Sequence, residues 1–329
     1  MVYSGELLCI GLTSVEAVRR AVIDVGTNSI KLLVADVAGG EIRPVVEESK
    51  QTRLGQGFYN SHRLQPEPIA NTAKAVTLFA SKARDLGTRS IHVIATSAAR
   101  DAVNAAELIS AIEQASSLKV EIISGDQEAE WAFQGATTDP ALSREPLLLL
   151  DVGGGSSEFI VGQGDHKHFR HSFPLGTVRL LEKFPHSDPP QPEELGACRN
   201  WLRTFLEKEV RPKLEPALRW ETKVYSGGPT RLVGTGGTAS ILSRVEAQLD
   251  TYDRDRMEAM RLGRERLRWH VERLWSLPLD ARKQIVGLPP NRADVILTGA
   301  AIYEAIMDQF NFPELRISTR GLRFAAVLG

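Results

Sequence analysis

Three glycine-rich turns, flanked by hydroxyl and carboxylate side chains, have the residue types and spacing that phosphate chemistry needs. They read DVGTNS at 24–29, DVGGGSSE at 151–158 and GTGGTAS at 234–240. Glycine permits a positive φ and has no Cβ, so successive backbone N–H groups can converge on an anion. An aspartate beside such a turn repels a phosphate unless a divalent cation lies between them. One turn alone would be more typical of a plain tight turn, but three together favour metal-assisted phosphate binding.

The first two turns are each positioned by a pair of apolar strands. The patterns predict strands at 21–24 and 30–37 around the first turn, and at 147–151 and 157–161 around the second. A P-loop or a dinucleotide fingerprint continues into a helix after its glycines, and neither motif occurs here. The sequence therefore predicts a weak internal repeat of a strand, a phosphate turn and a second strand.

The other segments alternate between strand and helix patterns, which predicts an α/β fold. Predicted strands are 42–47, 91–95, 120–123, 169–173 and 314–317, and predicted helices are 68–86, 102–115, a segment from 125 onward, 193–210, 239–247, 254–275 and 293–308.

Length and charge limit the classes of protein. The chain has 329 residues, 40 Lys and Arg against 41 Asp and Glu, and a net charge of −1. At about 100–200 residues per domain, two domains are expected. The neutral balance excludes a strongly basic nucleic-acid binder as a description of the whole molecule. Two cysteines, Cys9 and Cys198, give no disulfide framework, which favours the cytoplasm. No apolar run approaches the roughly 20 residues of a membrane helix, and residues 1–19 do not resemble a signal peptide.

Seven stretches follow one another along the chain. They are AVIDVGTNSIKLLVADV at 21–37, ATSAARDAVNA at 95–105, EIISGDQEAEWAFQG at 121–135, LLLLDVGGGSSEFIVG at 147–162, SFPLGTVRL at 172–180, GTGGTAS at 234–240 and RADVILTGA at 292–300. Together and in this order they resemble the exopolyphosphatase/guanosine pentaphosphate phosphohydrolase (Ppx/GppA) family, in its short two-domain type. They span about residues 20–325, nearly the whole chain.

The resemblance implies an α/β, two-domain actin–Hsp70–sugar kinase-like (ribonuclease H-like) fold with substrate in an interdomain cleft. Residues 1–19 would form an N-terminal extension, 20–135 domain I and 136–329 domain II, with the last residues packing back on domain I. It also implies hydrolysis of terminal phosphoanhydride bonds with Mg²⁺ or Mn²⁺. A monovalent cation such as K⁺ is a further candidate.

The resemblance assigns roles residue by residue. Glu128 would orient or deprotonate the attacking water, and Arg100 would contact a phosphate oxygen. Asp151, Glu158 and Asp24 would hold the metal. The residues implied to bind substrate phosphates are Gly26, Thr27, Asn28, Ser29, Gly153, Gly154, Gly155, Ser156, Ser157, Gly236, Gly237 and Thr238.

For several of these residues a purely structural role is the alternative to a functional one. Acids in the first turn of a helix are favoured by its dipole, which alone would explain Glu128. Asp24 has the alternative of a strand-end hydrogen bond, and Arg100 that of an ion pair with Asp101 or Glu107. Asp126 and Glu130 flank Glu128, and their charge is expected to raise its pKa.

Three other features are weaker candidates. Arg53 is a minor candidate for phosphate binding. His166, His168 and His171 do not share one strand face, so a solvated edge strand is preferred over a metal site. The arginine-rich run 261–273 is interpreted as a helix face paired with Glu265 and Glu272 rather than as a polyphosphate track.

The predicted function is that of an exopolyphosphatase, which removes terminal orthophosphate from inorganic polyphosphate. The alternative is hydrolysis of guanosine pentaphosphate (pppGpp) to the tetraphosphate, followed by an ATP-dependent kinase of the same superfamily and a non-catalytic nucleotide sensor. Neither a membrane nor a nucleic acid is expected as a partner, and a homodimer is a candidate assembly. Because net charge is only −1, the hypothesis requires a locally positive cleft, with residues 251–329 supplying one wall.

Overall fold

Two β-sheets with flanking helices make up the part of the chain that the structure, a computed structural model, describes, namely residues 16–224 and 228–329. The predicted N-terminal extension is therefore described only from residue 16, and Cys9 lies outside the described residues. No helix within these two ranges is long and apolar enough to cross a bilayer.

The first sheet has the strand order β3-β2-β1-β4-β5. The first three strands are antiparallel, whereas β4 and β5 run parallel to β1. Gly39 and Gly40 form the hairpin turn with φ of 58° and 85°, as their pairing in the sequence predicts. The elements are β1 (Val18–Val25), β2 (Ser29–Ala38), β3 (Glu41–Gln51), α1 (Pro66–Asp85), β4 (Ser90–Ala95), α2 (Ser97–Asp101), α3 (Ala105–Ser116), β5 (Val120–Ile122), α4 (Gly125–Ala136) and α5 (Pro140–Ser143).

The second sheet repeats this order and adds one edge strand. Its order is β10-β11-β9-β6-β7-β8, in which β6, β7 and β8 are antiparallel and β9 and β11 run parallel to β6. The predicted internal repeat is therefore present in the topology. The strands are β6 (Leu147–Val152), β7 (Ser157–Gln163), β8 (His166–Phe173), β9 (Arg231–Thr235), β10 (Arg261–Gly263) and β11 (Glu314–Ile317).

Helices cover the second sheet on both faces, which explains why the central strand β6 is apolar throughout Leu147–Leu150. A π-helical turn at Leu206–Val210 connects two of them, and a 3₁₀ turn lies at Pro290–Arg292. The helices are α6 (Thr177–Lys183), α7 (Pro192–Phe205), α8 (Arg211–Val224), α9 (Gly236–Glu246), α10 (Arg254–Glu258), α11 (Arg264–Ser276), α12 (Leu279–Arg282), α13 (Ile296–Gln309) and α14 (Leu322–Ala326).

The two halves exchange one helix each. α4 follows the first sheet along the chain, yet its Ala132 and Phe133 pack on Leu149 and Ile160 of the second sheet. α14 follows the second sheet, yet Leu322 and Phe324 pack in one cluster with Val22 and Leu33 of the first sheet. The two exchanged helices also contact each other. The division of the chain at residues 135 and 136 stays a prediction.

Several elements differ from the predictions. The predicted helix at 254–275 is instead α10, β10 and α11, because Leu262 pairs with Leu315 at the sheet edge and is buried there. The pattern also missed β9, α6, α8 and α14. The last of these has only five residues, too few to show a helical period.

Replacing Gly135 with alanine should destabilise the fold, since a Cβ there would lie 2.1 Å from the carbonyl oxygen of Gly321 at the α4–α14 contact. We expect a loss of about 1–3 kcal/mol in the free energy of unfolding, measured by urea titration. Gly196, inside α7, is the matched control, because an added Cβ there would meet no heavy atom within 4 Å outside the backbone of its own helix. Gly196→Ala should stabilise by about 0.5–1 kcal/mol, and equal effects of the two substitutions would contradict the packing argument.

Candidate active site

The first two glycine turns lie on opposite walls of one cavity of about 90 Å³ between the two sheets. β1 and β2 present the first turn, and β6 and β7 present the second. Three sequence-predicted groups from elsewhere in the chain also line this cavity: Glu128 from α4, and Gly237 and Thr238 from α9. The fold thus assembles residues that are more than 200 positions apart in the sequence.

Both turns have the same backbone geometry. The N–H of Gly26 donates to the carbonyl of Ser29 at 3.1 Å, and the N–H of Gly153 donates to that of Ser156 at 2.9 Å. A Cβ at either glycine would lie 3.0 Å from the same serine oxygen, so a side chain at either position would force that oxygen to move. Equivalent turns in the two halves therefore hold equivalent positions around the cavity.

The carbonyl groups of both turns are satisfied by neighbouring segments. The bonds are Gly55 N–H to Thr27 O at 2.7 Å, Thr52 and Arg53 N–H to Asn28 O, Thr177 N–H to Gly153 O at 2.9 Å and Val178 N–H to Gly154 O at 2.9 Å. By contrast, within residues 16–224 and 228–329 the N–H groups of Gly154 and Gly155 have no hydrogen-bond acceptor. Bound carbonyls beside unpaired N–H groups are the arrangement that an anion-binding nest needs.

Four carboxylates line this cavity: Asp24, Glu128 and Glu158 are buried, and Asp151 is half-buried. Asp151 and Glu158 lie directly opposite each other in the β6–β7 ladder. In the first sheet the equivalent partner of Asp24 is Lys31, so the repeat carries opposite charges at matching positions.

Glu128 lies in the first turn of α4, which is capped by Ser124, whose hydroxyl accepts from the N–H of Gln127 at 3.1 Å. Arg100 does not line the cavity; its Nη1 donates to Glu128 Oε2 at 3.0 Å and to the Ile123 carbonyl at 3.1 Å. The ion pair of Arg100 is thus mainly with Glu128, while Asp101 lies farther away at 3.9 Å.

Burial and mutual repulsion make these carboxyls weak acids. Burial raises the pKa of Glu128 well above its usual range; the charge of Glu158 adds to this, and Arg100 partly offsets it. Burial, with the charge of Asp151, raises the pKa of Glu158 to about 7, against a hydrogen bond from Ser172. Burial likewise raises the pKa of Asp24 and of Asp151.

The pKa of Glu128 is raised, as expected, but Asp126 and Glu130 are not the cause. Burial and Glu158 are responsible for that shift. Glu130 instead pairs with Lys167 at 2.9 Å and with Arg170 at 3.1 Å on β8.

The expectation of a positive cleft is wrong for the cavity of about 90 Å³ between the two glycine turns, which we call the inner cavity. Its four carboxylates face only two cations among the lining residues, Lys31 and Arg292, neither of which was predicted as a site residue. The repeat itself could have identified Lys31, because it aligns with Glu158 once the two strand–turn–strand units are superimposed. Arg292 enters from a 3₁₀ turn far along the chain, and only the folded structure brings it to the cavity.

The carboxylates fit a divalent cation. Asp24 Oδ1 is buried without a hydrogen-bond partner, and Asp151 and Glu158 add carboxylate oxygens to the same cavity. Across the described ranges, no three His, Cys, Asp or Glu side chains converge closely enough to hold a metal ion by themselves. A magnesium site needs only one or two carboxylates when water and phosphate oxygens complete its shell.

Two residues predicted to bind phosphate do not line the inner cavity. The hydroxyl of Ser157 is buried and donates to the Leu175 carbonyl at 2.5 Å. Gly236 lines an adjoining cavity instead, where a Cβ would lie 2.2 Å from Asp151 Oδ1 and φ is +83°. Gly236 is therefore required for backbone conformation and for the close approach of Asp151.

The weaker candidates lie elsewhere. Arg53 pairs with Asp294 at 2.7 Å. The three histidines lie on the edge strand β8, as predicted. Arginines of the run 261–273 do pair with acids, but the partners are Glu246 for Arg266 and Asp308 for Arg268 rather than the predicted Glu265 and Glu272.

Comparisons with known proteins identify the family and the fold. A model of the Ppx/GppA phosphatase family matches residues 33–328. Exopolyphosphatase 2 of Mycobacterium tuberculosis is 35% identical over 300 residues, covering 88% of this chain and 89% of that protein. The solved structure of the Aquifex aeolicus PPX-GPPA enzyme is 27% identical with a TM-score of 0.73, covering 95% of this chain and 99% of that one. An exopolyphosphatase structure from Cytophaga hutchinsonii, 24% identical, shares the fold with a TM-score of 0.81, covering 94% and 96% of the two chains.

Protein stripped of metal should lose stability as the pH rises. The pKa of Glu158 is about 7 in the folded protein against 4.5 for a free side chain, so between these values the folded state binds more protons than the unfolded one. Stability is then greatest below the unfolded pKa and falls as pH rises through the folded pKa. We expect the melting temperature to fall between about pH 5 and pH 8, with a shallower slope in Glu158→Gln. Glu193→Gln, exposed on α7, should keep the wild-type slope; the same slope in both variants would contradict the assignment.

Proposed function

We propose that this chain, which belongs to the Ppx/GppA phosphatase family, is an exopolyphosphatase that hydrolyses the terminal phosphoanhydride bond of inorganic polyphosphate. The observation that carries the proposal is the pair of equivalent glycine turns facing each other across a cavity that also contains Glu128. The names of the mycobacterial relatives support it.

In the proposed reaction, water attacks the terminal phosphorus and the bond to the bridging oxygen breaks, which releases orthophosphate and a chain shorter by one unit. Glu128 takes the proton from that water. Burial raises its pKa, which makes its carboxylate a stronger base than that of an exposed glutamate. Arg100 holds Oε2 of Glu128, which leaves Oε1 for the water.

Phosphate oxygens are bound by main-chain N–H groups and by few cations. The proposed ligands are the N–H groups and hydroxyls of the two turns, together with Lys31 from β2 and Arg292 from the 3₁₀ turn. Arg292 has a hydrogen bond to Ser49 Oγ at 3.4 Å, and burial lowers its pKa to about 10, so it remains protonated at neutral pH.

Asp24, Asp151 and Glu158 are the proposed residues for Mg²⁺ or Mn²⁺. Bound there, a divalent cation supplies positive charge that neutralises both the carboxylates and the oxygens of the phosphate chain. Without it, the excess of carboxylates in the inner cavity would oppose a polyanionic substrate.

A second candidate substrate is pppGpp, which the adjoining cavity favours. This adjoining cavity, which Gly236 also lines, has a volume of about 560 Å³. It shares Asp24, Lys31 and Arg292 with the inner cavity. Tyr252, Ile241 and Pro289 in its lining offer apolar surface that a nucleotide base would need. The kinase and sensor alternatives have no comparable support.

The remaining expectations stay predictions: two domains at 20–135 and 136–329, a homodimer, a cytoplasmic location, K⁺ as a further cation, and no nucleic-acid or membrane partner.

Glu128→Gln should abolish phosphate release, because an amide cannot accept the proton of the attacking water. We expect kcat to fall about 10²–10⁴-fold, measured as orthophosphate released from long-chain polyphosphate with Mg²⁺, with pppGpp and ATP assayed in parallel. Glu130→Gln, on the same helix but paired with Lys167 and Arg170, is the control and should retain activity. Release from pppGpp alone by the wild-type enzyme would replace the proposed substrate, and full activity of Glu128→Gln on every substrate would refute the mechanism.

Arg292→Gln should weaken polyphosphate binding, since it removes a cation from both cavities. A charge-assisted hydrogen bond contributes about 1.5–3 kcal/mol, so KM should rise roughly tenfold to a hundredfold. Arg219→Gln, whose side chain is 72% exposed on α8, should leave KM unchanged. An unaltered KM in Arg292→Gln would exclude this arginine from substrate binding.

A further inference from the structure

Helix α6 joins the second glycine turn to a loop from the other half of the molecule. Arg179 Nε donates to the Gly155 carbonyl at 2.8 Å, the third carbonyl of that turn to be bound by this helix. The guanidinium carbon of Arg179 also lies 4.3 Å from the ring centroid of Tyr59, which belongs to the loop between β3 and α1. One side chain thus contacts both walls of the cleft.

Glu182, three residues further along α6, contacts the same loop. Its carboxylate accepts the N–H of Gly57 at 2.6 Å through Oε1 and the N–H of Tyr59 at 3.2 Å through Oε2. Residues three apart on a helix lie on one face, so Arg179 and Glu182 act on the loop together. The carboxylate fixes its main chain, and the guanidinium packs on its aromatic ring.

The loop held in this way closes one side of the phosphate-binding turn. A Cβ at Gly155 would lie 2.4 Å from Tyr59 Oη, 2.4 Å from Ser97 Oγ and 3.1 Å from Thr27 Oγ1. Gly155 is therefore enclosed by three groups from the first half of the chain. Tyr59 is buried enough that its pKa is raised, so its hydroxyl stays neutral.

We propose that Arg179 and Glu182 are positioning residues that hold the 57–59 loop against Gly155, and thereby fix the N–H groups of the second glycine turn relative to the first. The proposal rests on the proposed function, because it assigns those N–H groups to the transferred phosphate. Neither residue lines the inner cavity. N–H groups that are held in place stabilise the transition state more than the bound substrate. Releasing the turn should therefore lower kcat more than it raises KM.

Arg179→Lys separates positioning from simple charge. Lysine keeps the positive charge but loses the planar guanidinium and the fork of donors. We expect kcat on polyphosphate to fall about tenfold or more, with little change in KM, whereas Arg203→Lys on α7 should behave as wild type. Wild-type kcat in Arg179→Lys, or a change confined to KM that depends on salt, would overturn the proposal, because Arg179 would then contribute charge alone.

A second measurement does not depend on activity. Hydrogen exchange of the peptide covering residues 55–60 should accelerate in Glu182→Gln at unchanged melting temperature, and should match wild type in Glu193→Gln. Unchanged exchange in Glu182→Gln would overturn the proposal. If the wild-type enzyme releases no phosphate from polyphosphate, the proposed function fails, while exchange still decides whether Glu182 holds the loop.

Discussion

The cost of gathering negative charge in a buried cavity is the constraint on which the rest of this structure depends. Four carboxylates lie in the inner cavity, and the proposed substrate is itself a polyanion. Several features act against this repulsion. Carbonyl oxygens of both glycine turns are bound by neighbouring donors, Arg100 pairs with Glu128, and burial holds the pKa of each carboxyl high. A divalent cation would complete the same balance.

Function in such a site depends on local charge rather than on the charge of the whole protein. The near-neutral composition excluded bulk capture of a polyanion, and the folded cavity is more acidic than the sequence led us to expect. Two cations and a set of unpaired N–H groups are left to hold phosphate. A divalent cation bound with the proposed substrate would offset the excess of carboxylates in this cavity.

Local patterns predicted the parts of the molecule that depend on neighbouring residues. The strands around the two phosphate turns, the hairpin at Gly39 and Gly40 and the edge position of β8 all follow from alternation or from turn residues. What the sequence could not predict depends on distant partners. Arg292 reaches the cavity only through the fold, Leu262 becomes part of a strand because Leu315 lies beside it, and Ser157 points to Leu175 rather than to a ligand. Only the family resemblance predicts a catalytic role for Glu128, since its position alone is more typical of an ordinary helix N-terminus.

The exchange of α4 and α14 has a consequence for the mechanics of the enzyme. Glu128 belongs to the first half of the chain by sequence, but its helix is packed on the second sheet, where Phe133 lies against Ile160. Yet Arg100 from the first half donates to Glu128, and α4 also contacts α14, which packs on the first sheet. Any rotation of one sheet relative to the other would therefore act on Glu128 from both halves. The separation of the two walls would then change the position of the proposed base and the distance between the two glycine turns together, so that one movement would control both.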